Sequence, residues 1–265
     1  MDEREGSVDE HDAKPGEVVD PLGGAQPEGG GGRSVASFVA DWLRSLAIAL
    51  VLFVFVRTFG VEAFKIPTGS MEETLLVGDF LLVNKAAYGT PIPGTDLWMP
   101  SFTEPERGDV IVFHPPHEPD RNYVKRVVGA PGDTLQMRDK QLFLNGAPVD
   151  EPYARILDAH RDAVHPNMRW QRGHLIAALP DPDDVTDEYE PTRDNWGPLV
   201  VPPDRFFVLG DNRDYSEDSR YWGFVERDQI RGSPWLVYYS AEPPTTHPGG
   251  WIDRVRWRRF GSIVR

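Results

Sequence analysis

One serine, a few lysines and one dense polar block are the residues from which this chain could build chemistry. Ser70 stands in "IPTGSMEETL", residues 66–75, a stretch that Pro67 and Gly69 mark as a turn. Such a turn can be chain punctuation, or it can aim the Ser70 hydroxyl at a target. A serine hydroxyl attacks only when a base removes its proton, and a neutral amine can do that. Free lysine has a pKa near ~10.4 and is protonated at neutral pH. Burial disfavours the charged form, and lowering the value by roughly two to three pH units costs about 3–4 kcal/mol. A lysine base must therefore sit inside apolar strand sequence. Lys125 in "NYVKRVVGAPGD" has Tyr123, Val124, Val127 and Val128 around it. On a strand, Lys125 and Arg126 point to opposite faces, so one can be buried while the other meets solvent. Lys85 in "LLVNKAAYG" is the rival, placed where a strand pattern gives way to a turn. Either lysine could instead be a solvated strand-edge charge that discourages aggregation.

The polar block is "GDNRDYSEDSRYWGFV", residues 210–225. It mixes Asp211, Asp214, Glu217 and Asp218 with Arg213 and Arg220, and carries Ser216 and Ser219. A charged surface loop with weak ion pairs would read the same way. Apolar "RFFVLG" before it and "YWGFV" after it argue for an organised loop instead. Other chemistries lack their residues. There is no G-x-S-x-G elbow, no S-x-x-K with S-D-N or K-T-G, and no H-E-x-x-H. His114 and His117 in "HPPHEP" are split by prolines that forbid helical spacing, so solvated loop histidines are expected and no metal site. "GGGG" has no following Lys-Ser/Thr and is no phosphate loop. With no cysteine there is no disulfide framework, thiolate nucleophile or zinc-thiolate site.

The elements that must hold these residues can be read from texture. The chain has 265 residues, 40% of them hydrophobic, with 25 prolines and 25 glycines that favour short strands over long helices. Its net charge of −14 makes nonspecific nucleic-acid binding a poor prospect. Residues 1–35, nine acidic against three basic, read as a disordered tail. From Val35 the chain turns apolar, and twelve uncharged residues separate Arg44 from Arg57. With both arginines snorkelling and Trp42 at the interface, residues 36–60 are expected to form one transmembrane helix. A buried core helix would show a polar face, which is missing. A cleavable secretory signal would follow a basic segment, not an acidic tail, although "VEA" at 61–63 mimics a cleavage site. Arg33 and Arg44 before the run balance Arg57 and Lys65 after it, so charge does not set the orientation.

After residue 60 short strand patterns follow one another: "DFLLVN", "DVIVF", "YVKRVVG", "QLFLNGAPV", "RFFVLG" and "PWLVYYS". Asn145-Gly146 signals a hairpin, and no four-turn helix is expected. The fold expected is all-β, mostly antiparallel coiled sheets, in a catalytic domain over residues 61–242. Residues 151–195, mixed and acidic, read as an insertion or a long surface excursion between strands. Residues 243–265 read as a linker and a basic aromatic segment, in which Trp251, Trp257 and Phe260 alternate with arginines. That segment suits lipid headgroups or an ordinary packed chain end equally well.

Three separated blocks, "IPTGSMEETLLVGD", "RGDVIVF" with "YVKRVVGAPGD", and "GDNRDYSEDSRYWGFV", follow an apolar anchor in that order. Together they resemble the type I signal peptidases, membrane-bound Ser-Lys proteases that remove signal peptides from exported bacterial proteins. The likeness spans roughly residues 36–240. It implies that Ser70 is the nucleophile and Lys125, over Lys85, the general base. It implies an oxyanion hole made of the Thr68 hydroxyl and the Ser70 amide, with Thr68 standing where serine is frequent. Ser216 would hydrogen-bond and position the lysine. Asp211, Arg213, Asp218 and Arg220 would form a supporting ion-pair network. One departure is Glu73, where many relatives carry proline. No cofactor is implied. Implied partners are signal peptides of secreted preproteins, cut after A-x-A-like small residues, and membrane lipid. Implied too is a bacterial cytoplasmic (inner) membrane location, single-pass, with the catalytic domain extracytoplasmic. Self-cleaving Ser-Lys proteases of the SOS-repressor type share the chemistry but need a DNA-binding domain that residues 1–35 cannot supply. A non-catalytic, membrane-tethered peptide-binding β-domain is the remaining alternative.

Overall fold

A computed structural model describes residues 35–89, 95, 97, 100–101, 103–159, 162–176, 189–244 and 250–265. The acidic tail read over residues 1–35 lies outside the described residues except for Val35, which already begins a helix. Parts of the 151–195 segment and of the linker after residue 243 also lie outside them.

Helix α1, Val35–Phe55, buries none of its residues, and Val56–Gly60 continues it as a wider π-helical turn. The run Val35–Gly60 has a mean hydropathy of 2.1 and is long and apolar enough to cross a membrane. An apolar helix with no buried face suits a lipid surrounding better than a protein core.

The remaining chain is built from two antiparallel sheets. Twelve strands are described: β1 Val61–Lys65, β2 Asp79–Asn84, β3 Val110–Phe113, β4 Tyr123–Gly129, β5 Thr134–Arg138, β6 Gln141–Leu144, β7 Ala147–Pro148, β8 Trp196–Val200, β9 Arg205–Leu209, β10 Val225–Glu226, β11 Ile230–Ser240 and β12 Ser262–Ile263. The larger sheet runs β1-β2-β11-β3-β4-β9-β10, with β12 added to β11, and the smaller runs β7-β6-β5-β8. Register shifts interrupt β11 at several points, and each such irregularity bends and twists a strand. β11 can therefore serve both β2 and β3. The Asn145-Gly146 turn closes the β6–β7 hairpin with both residues at positive φ, 51° and 84°, the pairing that a type I′ turn demands.

Three apolar clusters fill the interior. One packs Ile66, Met71, Leu75, Leu81 and Val237, so three residues of the Ser70 turn are core residues. A second gathers Ile111, Phe113, Val127 and Val208 around the middle of the large sheet. The third joins the small sheet to Phe207, Phe224 and Met168. Met168 comes from a 3₁₀ helix at Pro166–His174, inside the segment read as an insertion. That segment is thus no loose excursion, because it contributes a fully buried side chain to a core.

The C-terminal segment is packed as well. Arg259 pairs with the fully buried Asp79 at 2.6 Å and donates to the Thr74 carbonyl at 3.0 Å, while Arg256 donates to the Val77 carbonyl at 2.8 Å. Asp79 itself accepts from the Leu76 amide at 2.9 Å. The basic segment therefore braces the far end of the Ser70 turn. Trp251 and Trp257 remain exposed.

Candidate active site

The site starts from two differently built supports. Lys125 lies on β4, inside the large sheet between β3 and β9. Ser70 lies on a turn between β1 and β2, with Ile66 on one side and Met71 and Leu75 on the other sunk into the core. The sheet sets one group and the apolar anchors set the other. Across this junction the Lys125 Nζ donates to the Ser70 Oγ at 2.7 Å, and both residues are buried, at 4% and 8% exposure. Burial pushes the Lys125 pKa down from the usual lysine range to about 8, with Asp218 opposing that shift and Arg220 adding to it. Lys85 is elsewhere, paired with Glu62 at 3.3 Å.

The arrangement can do one thing readily. An amine that is neutral in a substantial fraction of molecules near pH 8 sits within proton-transfer distance of a hydroxyl. A cleft of about 620 Å³ opens over the pair, lined by Phe64, Ile66, Pro67, Thr68, Met71, Tyr123 and Val124, with Tyr215 and Glu217 at its rim. Thr68 is exposed there, two residues before Ser70. Among the described residues no cluster of His, Cys, Asp or Glu could hold a metal ion.

The loop after β9 closes the site from the other side. Its backbone reaches the serine turn directly, since the Asn212 amide donates to the Ser70 carbonyl at 3.1 Å and its side chain donates to the Gly69 carbonyl at 3.2 Å. Gly210 permits the approach. A Cβ there would lie 2.2 Å from Ser216 Oγ and 2.5 Å from the Ser70 carbonyl oxygen, closer than any side chain tolerates. Ser216 is buried at 5%. Among the described residues its hydroxyl makes no hydrogen bond. The bond from Ser216 to Lys125 implied by the family likeness is not made; the amine points to Ser70 instead.

The four charged residues expected as one network divide into three pairs. Arg220 and Asp218 form a bidentate pair at 2.8 Å, both essentially sealed from solvent. Burial works against both charges. The mutual pairing and the Gly210 amide outweigh it, keeping Asp218 below and Arg220 above their usual ranges. Arg213 pairs with Glu151 at 2.7 and 2.8 Å. Asp211 pairs with Arg126 at 2.7 and 2.8 Å and accepts from Thr74 at 2.5 Å.

Arg126 corrects the expectation that one member of the Lys125–Arg126 pair meets solvent. It is buried at 2%, because its face of β4 is covered by Asp211, the Gly108 carbonyl and the Tyr153 ring 4.0 Å away. Alternation along the strand did separate the two cations. What alternation could not show is that the opposite face is also covered. Arg126, Glu151, Thr74 and Asn212 were not singled out from the sequence. Asn212 at least lay within the polar block, but nothing local marked Glu151, some sixty residues from its partner.

The family described as signal peptidase, peptidase S26, matches residues 39–239. The chain is 38% identical over 221 residues to Signal peptidase I of Pseudomonas fluorescens, across 79% of this chain and 76% of that one. It is 32% identical over 232 residues to Signal peptidase I of Aquifex aeolicus, across 77% and 85% respectively. Against Signal peptidase I of Helicobacter pylori it is 33% identical over 247 residues, across 78% and 83%.

Proposed function

The chain belongs to the signal peptidase family, peptidase S26, and on that premise we propose that it is a membrane-anchored serine endopeptidase that removes signal peptides from exported preproteins with Ser70 as nucleophile and Lys125 as general base. The observation that carries this reading is the 2.7 Å contact between the buried Lys125 amine and the Ser70 hydroxyl. Neutral Lys125 takes the Ser70 proton as the oxygen attacks the scissile carbonyl. The Ser70 amide and the Thr68 hydroxyl donate to the oxyanion, a contribution worth roughly 3–4 kcal/mol where such donors have been removed. The protonated amine then delivers its proton to the leaving amine. Water, deprotonated by the same lysine, hydrolyses the acyl-enzyme. Ser216, Asp211, Arg213, Asp218 and Arg220 hold the loop that walls this site.

Substrate is bound extended. β1 is an edge strand, paired with β2 alone, and the β4–β9 ladder begins only at Arg126. The open edge near Phe64–Ile66 and the start of β4 flank the cleft, so a peptide laid between them can pair by backbone hydrogen bonds. Preference for small residues at the first and third positions before the cut belongs to the same proposal. The apolar Val35–Gly60 run ends ten residues before Ser70 in the chain. We place the catalytic unit outside the bacterial cytoplasmic membrane, with Trp251 and Trp257 available to lipid headgroups.

The test is cleavage of a purified preprotein with the new N-terminus sequenced. A single cut directly after an A-x-A segment is expected, and an uncut preprotein or cuts after bulky residues would refute the proposal. The lysine also sets a pH dependence. With a pKa of about 8, the fraction of neutral base rises tenfold per pH unit below that value and saturates above it. Accordingly kcat/KM should climb from pH 6 and level off above pH 8–9. A profile flat between pH 6 and 9 would exclude Lys125 as the base.

A further inference from the structure

The turn that displays Ser70 is anchored by core side chains, Ile66 before it and Met71 and Leu75 after it, but has few backbone bonds of its own across residues 69–75. Its local backbone bonds run from the Glu72 amide to the Gly69 carbonyl at 3.0 Å and from the Leu75 amide to the Met71 carbonyl at 2.7 Å. Between them Glu73 has φ of 88°, a left-handed conformation that costs a non-glycine residue energy and needs outside support.

The support comes from Arg155, in the segment read as an insertion. Its backbone is tied to the loop after β9, because the Arg155 amide donates to the Asp211 carbonyl at 2.7 Å and its carbonyl accepts from the Arg213 amide at 2.9 Å. Its guanidinium reaches the other way, to Glu72 at 3.0 Å and Glu73 at 3.5 Å. The Glu72 carboxylate is shared, since the Asn212 side chain donates to it at 3.3 Å. One residue thus spans the two segments, 69–73 and 211–213, that hold the nucleophile in place over a lysine fixed in the sheet.

We propose that Arg155 is a positioning residue for Ser70, an electrostatic strut that holds the strained turn where its hydroxyl meets Lys125. This rests on the Ser70–Lys125 reading given above. The strut is partly exposed, with the arginine side chain at 28% and Glu72 at 43%. Its contribution to global stability is therefore small, and its influence falls on geometry instead. A partly exposed pair is also screened by salt, so the alignment it maintains is sensitive to ionic strength.

The experiment measures steady-state cleavage of a synthetic peptide carrying an A-x-A site by the full chain and by Arg155→Met, Arg155→Lys and Glu72→Gln. Misplacing a nucleophile by a fraction of an ångström costs on the order of tenfold or more in turnover. Arg155→Met and Glu72→Gln are each expected to lower kcat about tenfold with KM within about twofold, to lose no more together than singly, and to melt close to the parent protein. Arg155→Lys should recover part of the loss. The parent kcat should fall as salt is raised, and Arg155→Met should show no such slope. Full kcat in both single variants, additive losses in the double variant, or an unchanged salt slope would overturn the strut. If Arg155→Met fails to fold, Glu72→Gln reads the same contact from the other side. Ser70→Ala separates the two ideas. Residual cleavage by Ser70→Ala refutes the dyad itself, whereas an inert Ser70→Ala beside a fully active Arg155→Met refutes only the strut.

Discussion

Lys125→Met should abolish signal-peptide cleavage and at the same time make the protein more stable at neutral pH. Loss of a general base or nucleophile from a unit that works together costs on the order of 10⁴–10⁶ in kcat, and on the proposed dyad Ser70→Ala should match it. The stability gain has a separate cause. In the folded chain the Lys125 amine titrates at about 8, against ~10.4 in an unfolded chain. Below pH 8 it is charged in both states, and folding bears the full cost of burying that charge, about 3 kcal/mol. Between pH 8 and ~10.4 the folded form sheds its proton while the unfolded form keeps it, so the cost disappears as pH rises. Methionine never incurs it. Denaturant unfolding of parent and variant at pH 7 and pH 10 tests both halves, with the variant ahead by up to about 3 kcal/mol at pH 7 and the gap narrowing at pH 10. Equal stability at both pH values would mean that the lysine is not desolvated and could not serve as base at neutral pH. Lys125→Arg completes the argument, since a guanidinium stays protonated across this range and should leave cleavage undetectable.

The second large effect concerns folding. Arg220→Met should cost about 3–5 kcal/mol, the amount typical of removing one partner from a buried ion pair. The guanidinium is 1% exposed, and besides Asp218 it serves the carbonyls of Arg213 at 2.8 Å and Ser216 at 3.3 Å. Its removal leaves the Asp218 carboxylate buried and charged, with only the Gly210 amide and the neighbouring backbone to hold it. The loop carrying Ser216 also loses two ties. Trp170 and Gln171 each donate to the Arg220 carbonyl at 3.0 Å, so the disturbance should spread into the 151–195 segment. A double replacement, Arg220→Met with Asp218→Leu, is expected to recover much of the stability but not the activity. That contrast distinguishes an uncompensated charge from mere loss of packing. A single Arg220→Met variant with unaltered melting would mean that the pair carries no structural weight.

The all-β architecture and the long apolar N-terminal helix were legible in the chain, and Ser70 could be put forward from it, because each rests on local signals. Strands such as β2, β4 and β9 announce themselves by apolar runs between turn residues, and Pro67-Thr-Gly69 marks a turn wherever it occurs. The core role of Met168 in the 151–195 segment was not legible, because the apolar residues there are too sparse to show a period and Met168 becomes core only when the small sheet lies against it.

By itself the sequence put forward which groups could react, one hydroxyl in a turn and one of two lysines near apolar strands, because these are properties of residue type and immediate neighbours; only the family likeness preferred Lys125 to Lys85. Only the tertiary structure decided that these two meet at 2.7 Å, and that Arg126, Glu151 and Arg155 hold the surrounding loops. Those partners are separated by 55 to 85 residues along the chain. Pairing over such distances is chosen by how whole sheets pack, and no short window of residues encodes it.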